Sequence, residues 1–241
     1  MNEDIFRTYD IRGIVDRDFN PELIFSIGKA FGTFLKNNNQ NIMSISGDVR
    51  HTTQKLKDDF INGVLCVGVN VCDMGDLPTP VNYFSLFHTN IPNSVQITGS
   101  HNPSEYNGFK LSYNKKPFYG DDIQDLKEII KNSNYFISDI KGSLEKNTIL
   151  AEYSSFIYSN ININKNIKVA MDCGNAAACL IAPNIFKNMG IELVELYCDI
   201  DPDFPNHHPD PTVDSNLDDL RKIVVDKKCD LGIAYDGDAD R

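Results

Sequence analysis

No stretch of this sequence is apolar for long enough to cross a bilayer. Its first residues, Met1-Asn2-Glu3-Asp4, are acidic and lack the basic and apolar segments of a secretion signal. These two absences make a cytoplasmic protein with no membrane partner the default expectation. Basic charge is also scarce. The chain has 23 Lys and Arg against 34 Asp and Glu, a formal net charge of −11. No basic patch is visible, which argues against a general nucleic-acid binder. An anionic ligand would have to be drawn in by local cations against the field of the whole molecule. The six cysteines, at 66, 72, 173, 179, 198 and 229, form no C-x-x-C pair. They read as free thiols in or near the core rather than as zinc ligands or disulfides. There is no internal repeat.

What is present is ordinary globular material: 241 residues, 41% hydrophobic and 24% charged, enough for one or two domains with cores of their own. Strand and helix patterns alternate. Pro21 to Lys36 has helical spacing, with Asn20 as cap and Pro21 in the first turn. Ile42 to Ile45 is a short strand, and Thr52 and Thr53 open a helix to about Val64. Val67 to Cys72 reads as a strand, followed by a loop through Pro80 and a helix from Val81 to about His88. Asp121 to Lys131 is a helix with acidic residues at its start and a lysine at its end. Residues 132–147 are polar, and the domain boundary is placed there. A helix from Thr148 to about Ser159 leads into a second unit. In that unit Lys168 to Asp172 is a strand, Ala176 to Asn188 a helix, and Ile191 to Tyr197 a strand. Asn216 to Lys227 is a helix, and Cys229 to Tyr235 a buried strand. The expectation is two consecutive α/β domains, residues 1–147 and 148–241, with mixed, largely parallel sheets covered by helices.

Two loops carry the chemistry. Ser94 to Thr98 is β-branched and alternating, so it reads as a strand. It ends in Gly99-Ser100-His101-Asn102-Pro103. Gly99 permits a positive φ and Pro103 keeps the preceding residue from turning helical. A hydroxyl, an imidazole and an amide therefore sit at adjacent positions of one tight polar loop. A serine nucleophile needs a neighbouring base or a charged setting, and this loop can supply either. Asn107-Gly108 reads as a second turn, with Lys110 on a new strand, Phe109 to Tyr113.

The second loop is Tyr235 to Arg241, Y-D-G-D-A-D-R. Its carboxylates at Asp236, Asp238 and Asp240 follow an apolar strand at i, i+2 and i+4. Three anions that close repel unless a cation joins them. Their hard oxygens suit Mg²⁺, which takes few protein carboxylates together with phosphate oxygens and water. A solvated acidic tail is the plain alternative. A calcium-binding EF-hand would need a preceding helix and a later glutamate.

T-G-S-H-N-P with Y-N-G-F-K resembles the phosphoserine loop of the α-D-phosphohexomutases, in the phosphomannomutase/phosphoglucomutase branch. The family's usual form has alanine where Gly99 stands. Phe6 to Gly13 (F-R-T-Y-D-I-R-G), the Asp48-Val49-Arg50 turn, Asp172-Cys173-Gly174-Asn175, F-P-N-H-H-P at 204–209 and D-G-D-A-D-R resemble further signatures, in the family's order. Ala176 replaces a usual glycine. A metal site at His207 and His208 is the lesser reading of that loop.

The resemblance implies transfer of phosphate between O1 and O6 of mannose or glucose phosphate. The carrier would be phospho-Ser100 and the intermediate a hexose 1,6-bisphosphate, which also serves as activator. It implies one Mg²⁺ on Asp236, Asp238 and Asp240, with the phosphoryl group on Ser100 as next ligand and Arg241 holding that phosphate. Tyr9, Arg12, Asn102 and Lys110 would meet substrate. Lys110, Arg12 and His101 are the candidates for proton transfer. Family members carry a third and a fourth domain beyond these motifs. The resemblance therefore makes this chain the N-terminal part of a longer enzyme, inactive alone. A phosphoglucosamine mutase, or a short protein that binds Mg²⁺ and phosphosugars without turnover, are the alternatives. Oligomeric state is not legible.

Overall fold

Met43 and Ile45 on one strand sit among the side chains of two helices, while Ser44 and Ser46 turn the other way. Ser46 Oγ accepts a 2.7 Å bond from Asn82 on a third helix. Successive strand residues face opposite sides, so this sheet is covered on both. The computed structural model describes residues 2–163 and 166–241.

In chain order the first unit runs β1 (Ile11–Ile14), α1 (Val15–Asp18), α2 (Pro21–Asn37), β2 (Ile42–Gly47), α3 (Thr53–Cys66), β3 (Asn70–Asp76) and α4 (Thr79–His88). It continues with β4 (Ser94–Ile97), β5 (Tyr106–Tyr113), β6 (Lys116–Pro117), α5 (Asp121–Lys131) and β7 (Leu144–Lys146). The strands order β1-β5-β4-β2-β3-β7, with β6 beside β5. Pairings among β4, β2, β3 and β7 are parallel, and those of β5 are antiparallel. Asn20 caps α2, its side chain accepting from the Leu23 N–H at 2.8 Å, with Pro21 at the first position. The core between α2, α3 and the sheet is built on Ile27, Phe31, Phe60 and Phe109, all fully buried.

Helix α6 (Leu150–Asn160) leads to the second unit: β8 (Lys168–Asp172), α7 (Ala182–Asn188), β9 (Glu192–Leu196), α8 (Asp218–Asp226) and β10 (Leu231–Ala234). Its sheet is wholly parallel, in the order β10-β8-β9. One apolar cluster bridges the units, packing Cys72, Met74, Leu77 and Val81 against Ile149, Ile181 and Ile185. The cysteines are free thiols. No described helix is long and apolar enough to cross a membrane.

Several sequence expectations need correcting. Asn107-Gly108 is not a turn but part of β5, opposite Gly13 and Arg12. A Cβ on Gly108 would lie 2.2 Å from the Ile11 carbonyl oxygen, so the glycine serves close strand approach rather than reversal. The helix expected over Ala176 to Asn188 is a 3₁₀ turn, Ala177–Leu180, then α7. Pro183 has no N–H for the Cys179 carbonyl, and its ring would clash there. β3 begins at Asn70 because Gly68, at φ 79°, closes a turn after α3. β7 arises in a polar segment read as linker, pairing with β3 in parallel register. β10 is an edge strand with Leu231 41% exposed, not the buried strand expected.

Candidate active site

The carboxyl ends of β2, β4, β8 and β10 converge, which is where ligands bind in open α/β sheets. β4 delivers Thr98 to Asn102. Ser100 is buried and takes a left-handed φ of 51°, its N–H donating to Thr98 Oγ1 at 2.8 Å. β10 delivers the acidic loop to the same point, and Ser100 Oγ donates to Asp236 Oδ2 at 3.2 Å. Asp236, Asp238 and Asp240 each offer an oxygen within 4.8 Å of the others. The loop is locked to the first unit by α4. Thr79 Oγ1 donates to Asp238 Oδ2 at 2.5 Å, and the Thr79 N–H to the Asp238 carbonyl at 2.9 Å.

The charges are arranged in opposition. Lys110 Nζ reaches Asp238 Oδ2 at 2.7 Å and Asp240 Oδ2 at 2.6 Å. Burial would lower the Lys110 pKa, but these two carboxylates raise it, so the ammonium persists. Asp236 is pushed up to about 7, first by burial and then by the charges of Asp238 and Asp240. Burial acts to raise Asp238 as well, but Lys110 and the Thr79 hydroxyl overcome it and hold that carboxyl below its ordinary value. Asp238 Oδ1 is nevertheless buried with no hydrogen-bond partner.

Arg12 is buried. It donates to the Gly99 carbonyl at 2.8 Å and to Asn102 Oδ1 at 2.7 Å, and pairs with Asp10 at 2.5 Å. Its Nε is buried and unpartnered. Asn102 is therefore engaged by Arg12. His101 Nδ1 accepts from Arg241 Nη1, which leaves the neutral ring's proton on Nε2. Burial and then the Arg241 charge lower the His101 pKa. Arg241 Nε lies 4.0 Å from Asp236 Oδ2. Tyr9, 77% exposed, stands at the mouth of the cleft, its ring 6.2 Å from that of Tyr119. The cleft is about 720 Å³ and is lined by Arg7, Tyr9, Arg12, Tyr83, Ser100, His101, Lys110 and Arg241 among others. A smaller cavity of about 270 Å³ between α4, α6 and α7 is almost wholly apolar and offers a phosphate nothing.

Of the ten residues singled out in the sequence, eight line this cleft, and Asp236 and Asp238 lie buried behind it, bonded to Ser100 and Lys110. His207 and His208 do not form a metal site. His207 bridges Asp172 Oδ2, at 2.8 Å, and the His208 carbonyl, at 2.9 Å. His208 Nε2 donates to the His101 carbonyl. Three contributors were missed. Asp48 and Arg50 brace the serine loop from beneath, and Thr79 holds Asp238. The Asp-x-Arg turn at 48–50 was a signal for the first two; nothing marked Thr79.

The chain matches the family model for phosphoglucomutase/phosphomannomutase, alpha/beta/alpha domain I, over residues 3–135, and domain II over residues 151–241. It belongs to the phosphoglucomutase/phosphomannomutase family. It is 38% identical over 241 residues to a phosphomannomutase/phosphoglucomutase of Pseudomonas putida, covering all of this chain and 52% of that one. To a phosphoglucomutase of Neisseria meningitidis serogroup A it is 35% identical, over 99% of this chain and 52% of the relative. The chain thus spans about half the length of the curated relatives it matches. A crystal structure of a phosphoglucomutase/phosphomannomutase family protein from Burkholderia thailandensis superimposes with a TM-score of 0.94 at 35% identity. That match covers 99% of this chain and 53% of the other. Paramecium parafusin, at 20% identity and a TM-score of 0.73, shares the family's fold.

Proposed function

We propose that this chain carries the phosphoryl-transfer residues of a hexose phosphate mutase, moving phosphate between O1 and O6 of glucose or mannose phosphate. Both sugars stand in the names of its relatives. In this reading residues 1–147 supply the nucleophile and residues 148–241 the acidic loop. The observation that carries it is Ser100 Oγ, held 3.2 Å from Asp236 Oδ2 in a cleft walled by Arg12, Lys110 and Arg241.

In the transfer, the Oγ–P bond of phospho-Ser100 breaks as a sugar hydroxyl oxygen bonds to phosphorus, and the hydroxyl proton passes to a base. The bisphosphate so formed turns over and returns its other phosphate to Ser100. Little covalent chemistry is asked of the protein, so positioning and charge neutralisation dominate. Among the proton-transfer candidates, Lys110 is held charged by Asp238 and Asp240. A guanidinium is a poor proton acceptor, which sets Arg12 aside. His101, kept neutral, is the group able to accept a proton, at Nδ1 once Arg241 turns to the phosphate.

Mg²⁺ fits the acidic loop. Three hard oxygens lie within 4.8 Å, and the buried Asp238 Oδ1 has no other partner. Bound by Asp236, Asp238 and Asp240, the ion would neutralise charge on the transferring phosphoryl group. The test is incubation with glucose 1,6-bisphosphate and Mg²⁺, then peptide mapping by mass spectrometry. One phosphoryl group on the Ser100 peptide, absent in Ser100→Ala, is expected. Label on another residue, or label that survives Ser100→Ala, contradicts the proposal.

A further inference from the structure

Arg50 lies outside the cleft and touches none of the reacting groups, yet it is 4% exposed and its side chain is wholly engaged. Its Nε donates to Asp48 Oδ2 at 3.1 Å. Nη1 donates to the carbonyls of Pro103, at 2.6 Å, and Tyr106, at 3.1 Å. Nη2 donates to those of Ser100, at 2.8 Å, and Asn102, at 2.6 Å. A guanidinium has five N–H groups, and here all five are engaged. Four of them grip the carbonyls of a single loop, the one that carries Ser100.

We propose that Arg50 is the positioning residue of the nucleophile. Its planar fork holds Ser100 in the left-handed backbone conformation that aims Oγ at the acidic loop. The proposal rests on the reading of Ser100 as phosphoryl acceptor. Four independent features support it. First, Asp48 fixes the fork from the other side. Its Oδ2 also accepts from Thr98 Oγ1 at 2.8 Å and the Gly99 N–H at 3.2 Å, so acid and base clamp opposite polar groups of the same turn. Second, Gly99 leaves room for the guanidinium, since a Cβ there would lie 2.5 Å from Arg50 Cζ. Third, the Ser100 carbonyl is pressed between Arg50 and the acidic loop, because a Cβ on Gly237 would lie 2.2 Å from that oxygen. The carbonyl that Arg50 holds therefore sets how closely Asp236 approaches. Fourth, the ring of Phe204, in the second unit, covers the guanidinium at 5.3 Å from Cζ. Arg50 thus touches both bodies that must meet for transfer. Lysine cannot substitute, because an ammonium presents three donors from one point and cannot reach four divergent carbonyls.

The test compares wild type with Arg50→Lys and Arg50→Ala. The rate of Ser100 phosphorylation by glucose 1,6-bisphosphate should fall about 100-fold in Arg50→Lys, the scale expected for a misplaced reacting group. Mg²⁺ affinity should stay within about twofold. Amide exchange of residues 98–106 should quicken while that of β2 and β4 does not. Methylguanidinium, but not methylammonium, should restore rate to Arg50→Ala. A phosphorylation rate in Arg50→Lys within about threefold of wild type overturns the proposal. So does exchange that quickens equally throughout the chain, which would mark a general structural role. If wild type takes no phosphoryl group on Ser100, the functional reading fails, and loop exchange still decides whether Arg50 holds the turn. Should neither variant fold, wild type decides. Its Arg50 guanidinium protons must be resolved and slow to exchange in proton–nitrogen spectra, and fast exchange contradicts the clamp.

Discussion

His207 stands between two acceptors, the Asp172 carboxylate and the His208 carbonyl, so both ring nitrogens donate and the imidazolium is the bound form. The Asp172 hydrogen bond, working against burial, raises its pKa. His101 is shifted the other way, by burial and by Arg241. An NMR titration should therefore find His207 titrating above, and His101 below, the ordinary value of about 6.5. Asp172→Asn should bring His207 down, and Arg241→Gln should bring His101 up. The sign for stability follows from linkage. A raised His207 stabilises the fold fully below about pH 6.5, and that contribution is lost as pH climbs through its folded value. Two histidines titrating together would contradict both placements. At this scale the sequence marked Ser100 and the three aspartates by residue type and local spacing, and the fold brings them together. The sequence was silent where the chemistry is made by a distant partner. Arg50 meets its carbonyls some fifty positions away, and no spacing rule reaches that far.

Helices α2 and α3 cross at two glycines. A Cβ on Gly28 would lie 2.1 Å from the Phe60 carbonyl oxygen, and one on Gly63 would lie 2.1 Å from that of Phe25. Helix propensity favours alanine over glycine by about 1 kcal/mol. Backbone cannot yield as a side chain can, and overpacking costs about 1–3 kcal/mol or more. Gly28→Ala and Gly63→Ala should each lower the melting temperature. A rise would show that propensity outweighs contact and that the crossing is looser than described. Helix α2 was legible because a cap and periodicity mark it, and α5 because acidic residues open it and a lysine ends it. β7 was not, since an exposed edge strand of three residues is too short to show a side-chain pattern. Gly108 misled for another reason. Asn-Gly favours a turn locally, and close pairing of β5 with β1 overrides that preference.

The two units meet through an apolar cluster and through Thr79, whose hydroxyl and N–H both hold Asp238. Thr79→Val keeps the shape and removes the hydroxyl, leaving one more buried carboxylate bond unmade. It should weaken Mg²⁺ binding measurably by calorimetry, while Ser112→Ala, on β5 and away from the acidic loop, should not. Equal effects would mean that Thr79 has no part in presenting the loop. The central claim is that Ser100 from the first unit and Asp236, Asp238 and Asp240 from the second make one phosphoryl-transfer site. It is tested most directly by phosphorus NMR of the protein carrying phosphoserine at position 100, titrated with Mn²⁺ in place of Mg²⁺. Stoichiometric Mn²⁺ should broaden the phosphoserine resonance beyond detection, and Asp238→Asn should leave it sharp at the same concentration. A wild-type resonance that stays sharp with Mn²⁺ bound would place the metal away from Ser100 and contradict the account.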